Sequence, residues 1–193
     1  MRVIAGTAGG IRLDAPKTGV RPTMDRVKAA IFSSLGDEVI GARVLDLFAG
    51  SGALGVEALS RGAASALFVE ENAAAIGAIE RNLARAKLEG QVRKQDVFAF
   101  LHSAQQRDPF GIIFADPPYE KSKAGGEFTQ LLLEDKQLAE LLAPAGVFVL
   151  EKRPAESMPP MALWNVTRAR AYGATEVLFL QRCRHSERSR GIP

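Results

Sequence analysis

Two rhythms alternate along this chain. Short apolar runs at Arg43–Leu47, Ala66–Glu70, Val92–Gln95, Phe110–Ala115 and Val147–Glu151 read as buried strands. Between them, residues 53–61, 73–88, 97–103 and 128–142 repeat their apolar positions at helical spacing. Gly62 and Gly90 close two of these predicted helices, and Pro144 with Gly146 stops the last. Before the alternation, residues 2–13 predict a β-hairpin around Gly9-Gly10, and residues 14–22 a loop marked by Pro16, Gly19 and Pro22. A helix then runs to about Leu35, capped by Thr23 or Asp25, with Val27, Ala30, Ile31, Ser34 and Leu35 on one face. After it, Pro154, Pro159 and Pro160 mark a loop, and residues 163–172 and 174–182, split at Gly173, predict an antiparallel hairpin.

Strand–helix alternation predicts an α/β fold: a mostly parallel sheet with helices on both faces, here with an antiparallel edge from the closing hairpin. The expected organisation is an N-terminal hairpin and helix over residues 1–36, a main domain over 37–184 and a disordered tail over 185–193.

Composition narrows the class. Of 193 residues, 47% are apolar and 24% charged, which suits a globular protein with a real core. No apolar run is long enough to span a bilayer, no signal-peptide stretch opens the chain, and Cys183 is the single cysteine. The expectation is a cytoplasmic protein without membrane attachment. The net charge of +3 is concentrated at the ends. Residues 1–35 carry Arg2, Arg12, Lys17, Arg21, Arg26 and Lys28 against Asp14 and Asp25, and the tail carries Arg182, Arg184, Arg188 and Arg190 against Glu187. Such ends suit either a nucleic-acid footprint or ordinary solvated charge.

Residues 46–55, Asp46-Leu47-Phe48-Ala49-Gly50-Ser51-Gly52-Ala53-Leu54-Gly55, place a glycine turn between a strand and a helix. Glycines there permit unusual dihedrals and let a ligand approach bare backbone. Gly50, Gly52 and Gly55 match the dinucleotide fingerprint, and Glu70 lies where a ribose-binding acid belongs, so an NAD(P) oxidoreductase is one reading. Asp46 argues for another. A carboxylate beside the turn repels a pyrophosphate but attracts the ammonium and sulfonium of S-adenosylmethionine, and no basic residue lies in the turn. Glu70 then accepts from the ribose hydroxyls. Asp96 ends the third strand and suits the adenine amino group or the N-cap of the next helix, with Val97 and Phe98 as candidate walls.

Asp116-Pro117-Pro118-Tyr119 follows the fourth strand, at the carboxyl edge where open α/β sheets bind ligands. The prolines remove two N–H donors but leave their carbonyls. An acid and a proline carbonyl together accept both hydrogens of an NH2 group, aiming its lone pair at an electrophile, while Tyr119 stacks on a base. The pairing of the two motifs suggests transfer from a nucleoside cofactor to an exocyclic amine, on a base that is unpaired or flipped out. A plain strand-ending Pro-Pro turn is the structural alternative.

With both motifs in place, the chain resembles the RsmD family of small-subunit rRNA guanine-N2 methyltransferases over roughly residues 2–182. The resemblance rests on Arg2-Val3-Ile4-Ala5-Gly6, on Arg21-Pro22-Thr23-Met24-Asp25-Arg26-Val27-Lys28, on residues 45–63 and on Asp116-Pro117-Pro118-Tyr119. It implies a class I, Rossmann-like methyltransferase with a seven-stranded sheet, S-adenosylmethionine as donor (S-adenosylhomocysteine as product) and a guanine of 16S rRNA in an assembling or assembled small ribosomal subunit as acceptor. By position it implies cofactor contacts from Asp46, Phe48, Gly50, Gly52, Glu70, Asp96 and Val97, and base contacts from Asp116 to Tyr119. Arg12, Lys17, Arg21, Thr23 and Arg26 would form the RNA surface. Asn72 stands where related chains often have Asp, which leaves acid duty with Glu70. The rival acceptor is adenine N6 in DNA or RNA, since the Asp-Pro-Pro-Tyr chemistry serves either purine; a catalytically silent RNA-binding module is a third class. No His or Cys cluster has metal-ligand spacing, so no metal is expected, and a monomer is favoured.

Overall fold

The computed structural model describes residues 1–14, 23–104, 109–118, 128–154, 156 and 158–183, with the side chains of residues 23 and 24 excepted. Helix α1 (Thr23–Leu35) and a 3-10 turn (Gly36–Val39) lead into β1 (Arg43–Leu47). There follow α2 (Ala53–Ser60), β2 (Ser65–Glu70), α3 (Ala73–Ala86), β3 (Gln91–Lys94), α4 (Val97–Ser103), β4 (Phe110–Ala115), α5 (Phe128–Glu134), α6 (Lys136–Leu141), β5 (Leu142–Lys152), β6 (Trp164–Tyr172) and β7 (Thr175–Arg182). The strands form one sheet in the order β3-β2-β1-β4-β5-β7-β6. The first five are parallel, and β7 and β6 close the far edge antiparallel.

Alternation along each strand splits the core in two. On one face Val44, Phe68, Phe114, Val149 and Phe179 meet Ile31 and Phe32 of α1, Val56 of α2 and Ile79 of α3. On the other, Leu45, Val69, Ile113, Phe148 and Leu180 meet Leu101 of α4, Leu132 of α5 and Leu138 of α6. Val3, Ala8 and Leu13 belong to the first cluster, so the N-terminal segment shares the sheet's core.

That segment folds back antiparallel as expected, with Val3 N–H donating to the Ile11 carbonyl and Gly10 N–H to the Val3 carbonyl at 2.9 Å, but it forms no regular strands. Only Arg2 and Arg12 form a β-bridge. The donors of the tip between these arms go to α2. Ile4 and Ala5 N–H donate to the Glu57 carboxylate at 2.7 and 3.1 Å, Thr7 N–H to the Ser60 carbonyl at 2.8 Å and Ala8 N–H to Ser60 Oγ at 2.9 Å. Gly6, at φ +85°, is required because a Cβ there would overlap the Ser60 carbonyl.

Four further expectations are corrected. Residues 128–142 are two helices, because Asp135 Oδ1 accepts the Leu138 N–H at 2.9 Å and caps a fresh start. Leu142 is already extended, paired with Phe110, so Pro144 and Gly146 lie within β5. Helix α3 ends at Ala86 on a left-handed Lys87, and Gly90 is needed for space, since a Cβ there would crowd Phe68. Asp25 sits inside the first turn of α1, where its charge favours the helix dipole, and is not the cap. The proposed tail over residues 185–193 lies outside the described residues. Among the described residues, no helix is long and apolar enough to cross a membrane.

Candidate active site

Strand register assembles the site. Val69 of β2 pairs with Leu47, Leu47 with Ala115, and Ala115 with Leu150 of β5. The next residues, Glu70, Phe48, Asp116 and Glu151, therefore form a row along the carboxyl edge of four adjacent parallel strands. Asp46 stands lower on β1, level with Phe68 and Phe114. Asp46, Glu70, Asp116 and Glu151 all alternate onto the face covered by α1, α2 and α3.

The chain leaves β1 through Phe48 at φ +53°, then turns through Gly50 at +55° and Gly52 at +74°. A side chain at either glycine would be held in a conformation that L-residues avoid. The open side of Gly50 is bare: a Cβ there meets nothing nearer than the Phe48 carbonyl at 3.9 Å. Gly55 has the opposite reason, since a Cβ would overlap the Phe68 ring and crowd Asp46.

Two carboxylates pin this turn. Asp46 is 2% exposed, and its Oδ2 accepts the Gly55 N–H at 2.9 Å. Glu70 Oε2 accepts the Gly50 N–H at 2.8 Å and Oε1 the Asn72 N–H at 2.8 Å. Asn72 then caps α3 by accepting from Ala74 and Ala75, so the departure from Asp serves a structural end. Asp96 caps α4 through the Ala99 N–H at 2.9 Å, and Val97 is buried beneath it. The rings of Phe48, Phe98 and Phe128 gather beside this end, with Phe98 and Phe128 stacked at 6.1 Å and Phe48 edge-on to Phe128 at 5.3 Å.

The electrostatics are one-sided. Burial pushes the Asp46 carboxyl up to about 8, against the Gly55 hydrogen bond, and the charges of Asp116 and Glu70 push the same way. Burial pushes Asp116 up to about 6. Glu151 is raised well above the usual carboxylate range by burial and then by Asp116 and Asp46. No basic group figures among these causes. Such an edge suits a cation and disfavours a diphosphate, as the donor set of S-adenosylmethionine requires and that of NAD does not. Each Glu70 oxygen keeps a second lone pair for a ribose hydroxyl. Among the described residues, no group of three or more His, Cys, Asp or Glu side chains is placed to hold a metal.

Asp116 is partly exposed at the edge, Pro117 is buried and Pro118 exposed. Tyr119 lies outside the described residues, as do Lys17 and Arg21. Thr23 begins α1. Arg26 is exposed in the first turn of α1. Because Phe32 of α1 touches Phe114, at 5.6 Å between rings, and α1 runs down to the start of β1, that first turn lies toward the site edge. Arg12 is exposed, and its carbonyl accepts from Arg85 at 2.9 Å.

Sequence reasoning missed four residues. Glu57, fully buried, gathers Ile4, Ala5, Arg61 and the nearly buried Lys28, whose ammonium lies 3.1 Å away. Asn82, also fully buried, joins the Asp14 backbone to the Ser51 carbonyl of the glycine turn at 2.9 Å. Phe128 completes the ring cluster, and Glu151 extends the acidic row. A charged residue in the apolar helix Ala53-Leu54-Gly55-Val56-Glu57-Ala58 was the available signal for Glu57; the others have none in local spacing.

The family described as Conserved hypothetical protein 95 matches residues 1–181. Ribosomal RNA small subunit methyltransferase D of Escherichia coli is 36% identical over 184 residues, covering 94% of this chain and 90% of that protein. Among solved structures, the Thermus thermophilus protein TTHA0928 superposes with a TM-score of 0.79 at 29% identity, covering 94% of this chain and 99% of that one. The T. thermophilus 16S rRNA N2 methyltransferase RsmC, in complex with AdoMet and guanosine, does so at 0.65 and 26% identity, covering 86% of this chain and 44% of that one.

Proposed function

Since the chain belongs to the Conserved hypothetical protein 95 family, that of the small-subunit rRNA methyltransferase D proteins, we propose that it transfers a methyl group from S-adenosylmethionine to the exocyclic N2 of one guanine in 16S rRNA. The rRNA methyltransferase part of this reading is supported by the named relatives. The acceptor atom is supported by the N2 methyltransferase with guanosine among the structural neighbours. The observation that carries the chemistry is the row in which Asp116 stands beside the start of the glycine turn at Phe48, with Glu70 on that turn's other side.

The cofactor supplies a methyl already activated on a sulfonium, and the protein supplies alignment. The backbone at Gly50 and Gly52, the Glu70 carboxylate and Asp96 would hold the nucleoside, with Phe48, Val97 and Phe98 around its base. Asp116, assisted by the Pro117 carbonyl, accepts the amine hydrogens and orients the nitrogen lone pair; Tyr119 is assigned to stacking. Orientation and fixed charge are the effects such a transfer needs. The proton is lost to Asp116 or solvent after transfer, so Asp116 need not be a strong base beforehand. Arg12 and Arg26, with Lys17, Arg21 and Thr23, form the RNA-facing end, and residues 1–36 its module. The substrate is a small-subunit particle in the cytoplasm, and the enzyme acts as a monomer without metal.

The test is nucleoside mass spectrometry of 16S rRNA from cells lacking the protein, before and after treating their small subunits with protein and S-adenosylmethionine. N2-methylguanosine absent at one site and restored on treatment is expected. A change in N6-methyladenine alone would transfer the reading to adenine.

A further inference from the structure

Glu151 lies at the same level as Asp116 on the neighbouring strand, because Ala115 and Leu150 are register partners. Neighbouring strands lie about 4.8 Å apart, and both side chains alternate onto the same face. Among the described residues neither carboxylate is hydrogen-bonded or ion-paired, and both are part-buried at the sheet edge. The nearest cation in sequence is unavailable: Lys152 points to the opposite face, bonded to Glu176 at 2.9 Å and to the Arg153 carbonyl at 2.6 Å. Part-buried carboxylates with all their acceptor positions free are placed to take donors that a ligand brings.

Resting on the guanine reading above, we propose that Glu151 is the residue that selects guanine, accepting the ring N1–H while Asp116 and the Pro117 carbonyl hold the N2 amine. The two donors are adjacent on one edge of guanine, and the two acceptors are adjacent on one edge of the sheet. Glutamate is one methylene longer than aspartate, so it reaches the ring nitrogen from the strand beyond. Adenine presents a bare lone pair at its N1, which a carboxylate repels. Enzymes that handle an extruded base read it through this edge, and a site built to bond a donor rejects the analogue lacking it. The pair thus separates the two purines that the Asp-Pro-Pro-Tyr chemistry alone accepts equally.

The test uses reconstituted small subunits with either guanine or 2-aminopurine at the target position. 2-Aminopurine keeps the C2 amine but has no hydrogen on N1. Wild type, Glu151→Gln and Glu151→Ala are each assayed on both, so the ratio of kcat/KM values is independent of the fraction folded. Wild type is expected to favour guanine. In Glu151→Ala kcat/KM on guanine should fall about 10- to 100-fold, the worth of one charged hydrogen bond, with a much smaller fall on 2-aminopurine, so that the preference collapses; Glu151→Gln, which keeps one acceptor oxygen, should narrow the preference by less. Affinity for S-adenosylhomocysteine should be unchanged. Equal losses on the two substrates would make Glu151 merely structural, and a parallel loss of S-adenosylhomocysteine binding would assign it to the cofactor; either overturns the proposal. Wild-type enzyme that methylates neither base would instead overturn the guanine reading, and this inference with it.

Discussion

Glu70 at the end of β2 holds the Gly50 N–H with one carboxylate oxygen and the Asn72 N–H with the other, both at 2.8 Å. The acid assigned to the ribose is thus also a strut for the turn against which the nucleoside would lie. Its replacement removes a ligand contact and loosens the cradle together. Glu70→Ala is expected to weaken S-adenosylhomocysteine binding by about 1000-fold by calorimetry, more than one lost hydrogen bond to a charged group explains. Glu70→Gln, which keeps one acceptor oxygen, should fall between. A loss under threefold in Glu70→Ala would remove Glu70 from the cofactor site.

Glu57 is a buried hub with Lys28 at 3.1 Å and Arg61 at 2.8 Å. Glu57→Gln leaves a buried ammonium unpaired and turns an amide N–H toward the Ile4 or Ala5 donors. Removing one partner of a buried pair costs about 3–5 kcal/mol. Urea unfolding should show that loss, and hydrogen exchange at Ile4 and Ala5 should accelerate. A change below about 1 kcal/mol would mean the N-terminal segment is held mainly by its apolar contacts.

Gly55 is a packing glycine, unlike Gly50. Gly55→Ala would drive a methyl into the Phe68 ring, at a cost of about 1–3 kcal/mol. Gly50→Ala has space but the wrong φ, +55°, so it is expected to weaken cofactor binding with a smaller loss of stability. Thermal melts with and without S-adenosylhomocysteine separate the two. Equal effects from both variants would contradict the distinction.

The buried carboxyls set a pH dependence. Asp46 titrates at about 8 in the folded protein and Asp116 at about 6, against an ordinary 3.8. The folded state holds these protons longer than the unfolded state, so the contribution to stability is full below about pH 4. It is lost as pH rises through about 6 for Asp116 and about 8 for Asp46. From these two groups the Tm of the free protein should therefore fall as pH rises from about 4 to about 8, and the cationic S-adenosylmethionine should raise it more at pH 8 than at pH 6. Single-turnover activity should rise through about pH 6 as Asp116 becomes an acceptor. A Tm climbing steadily to pH 8.5 would contradict these shifts.

Strands β1 and β4 and helix α4 were legible residue for residue, because short apolar runs bounded by glycine, acid or proline leave little choice of period. Less legible was the single expected helix over residues 128–142. Asp135 reads as one more polar helix position until its side chain is seen to cap a second start. The N-terminal fold-back was legible at its arms but not at its tip, where the donors of Ile4, Ala5, Thr7 and Ala8 are claimed by Glu57 and Ser60, more than fifty residues away.

The order of residues was enough to determine the alternation of strand and helix, the glycine turn with Asp46, and the acid–proline corner at Asp116, since each is a local pattern with a local physical cause. Tertiary structure alone decided that Glu151 stands beside Asp116, that Glu70 ties down Gly50, and that Asn82 links the N-terminal segment to the glycine turn. Parallel strands are neighbours only through long crossovers, and their register depends on how two helical layers pack. No spacing along the chain encodes which carboxylate will face which.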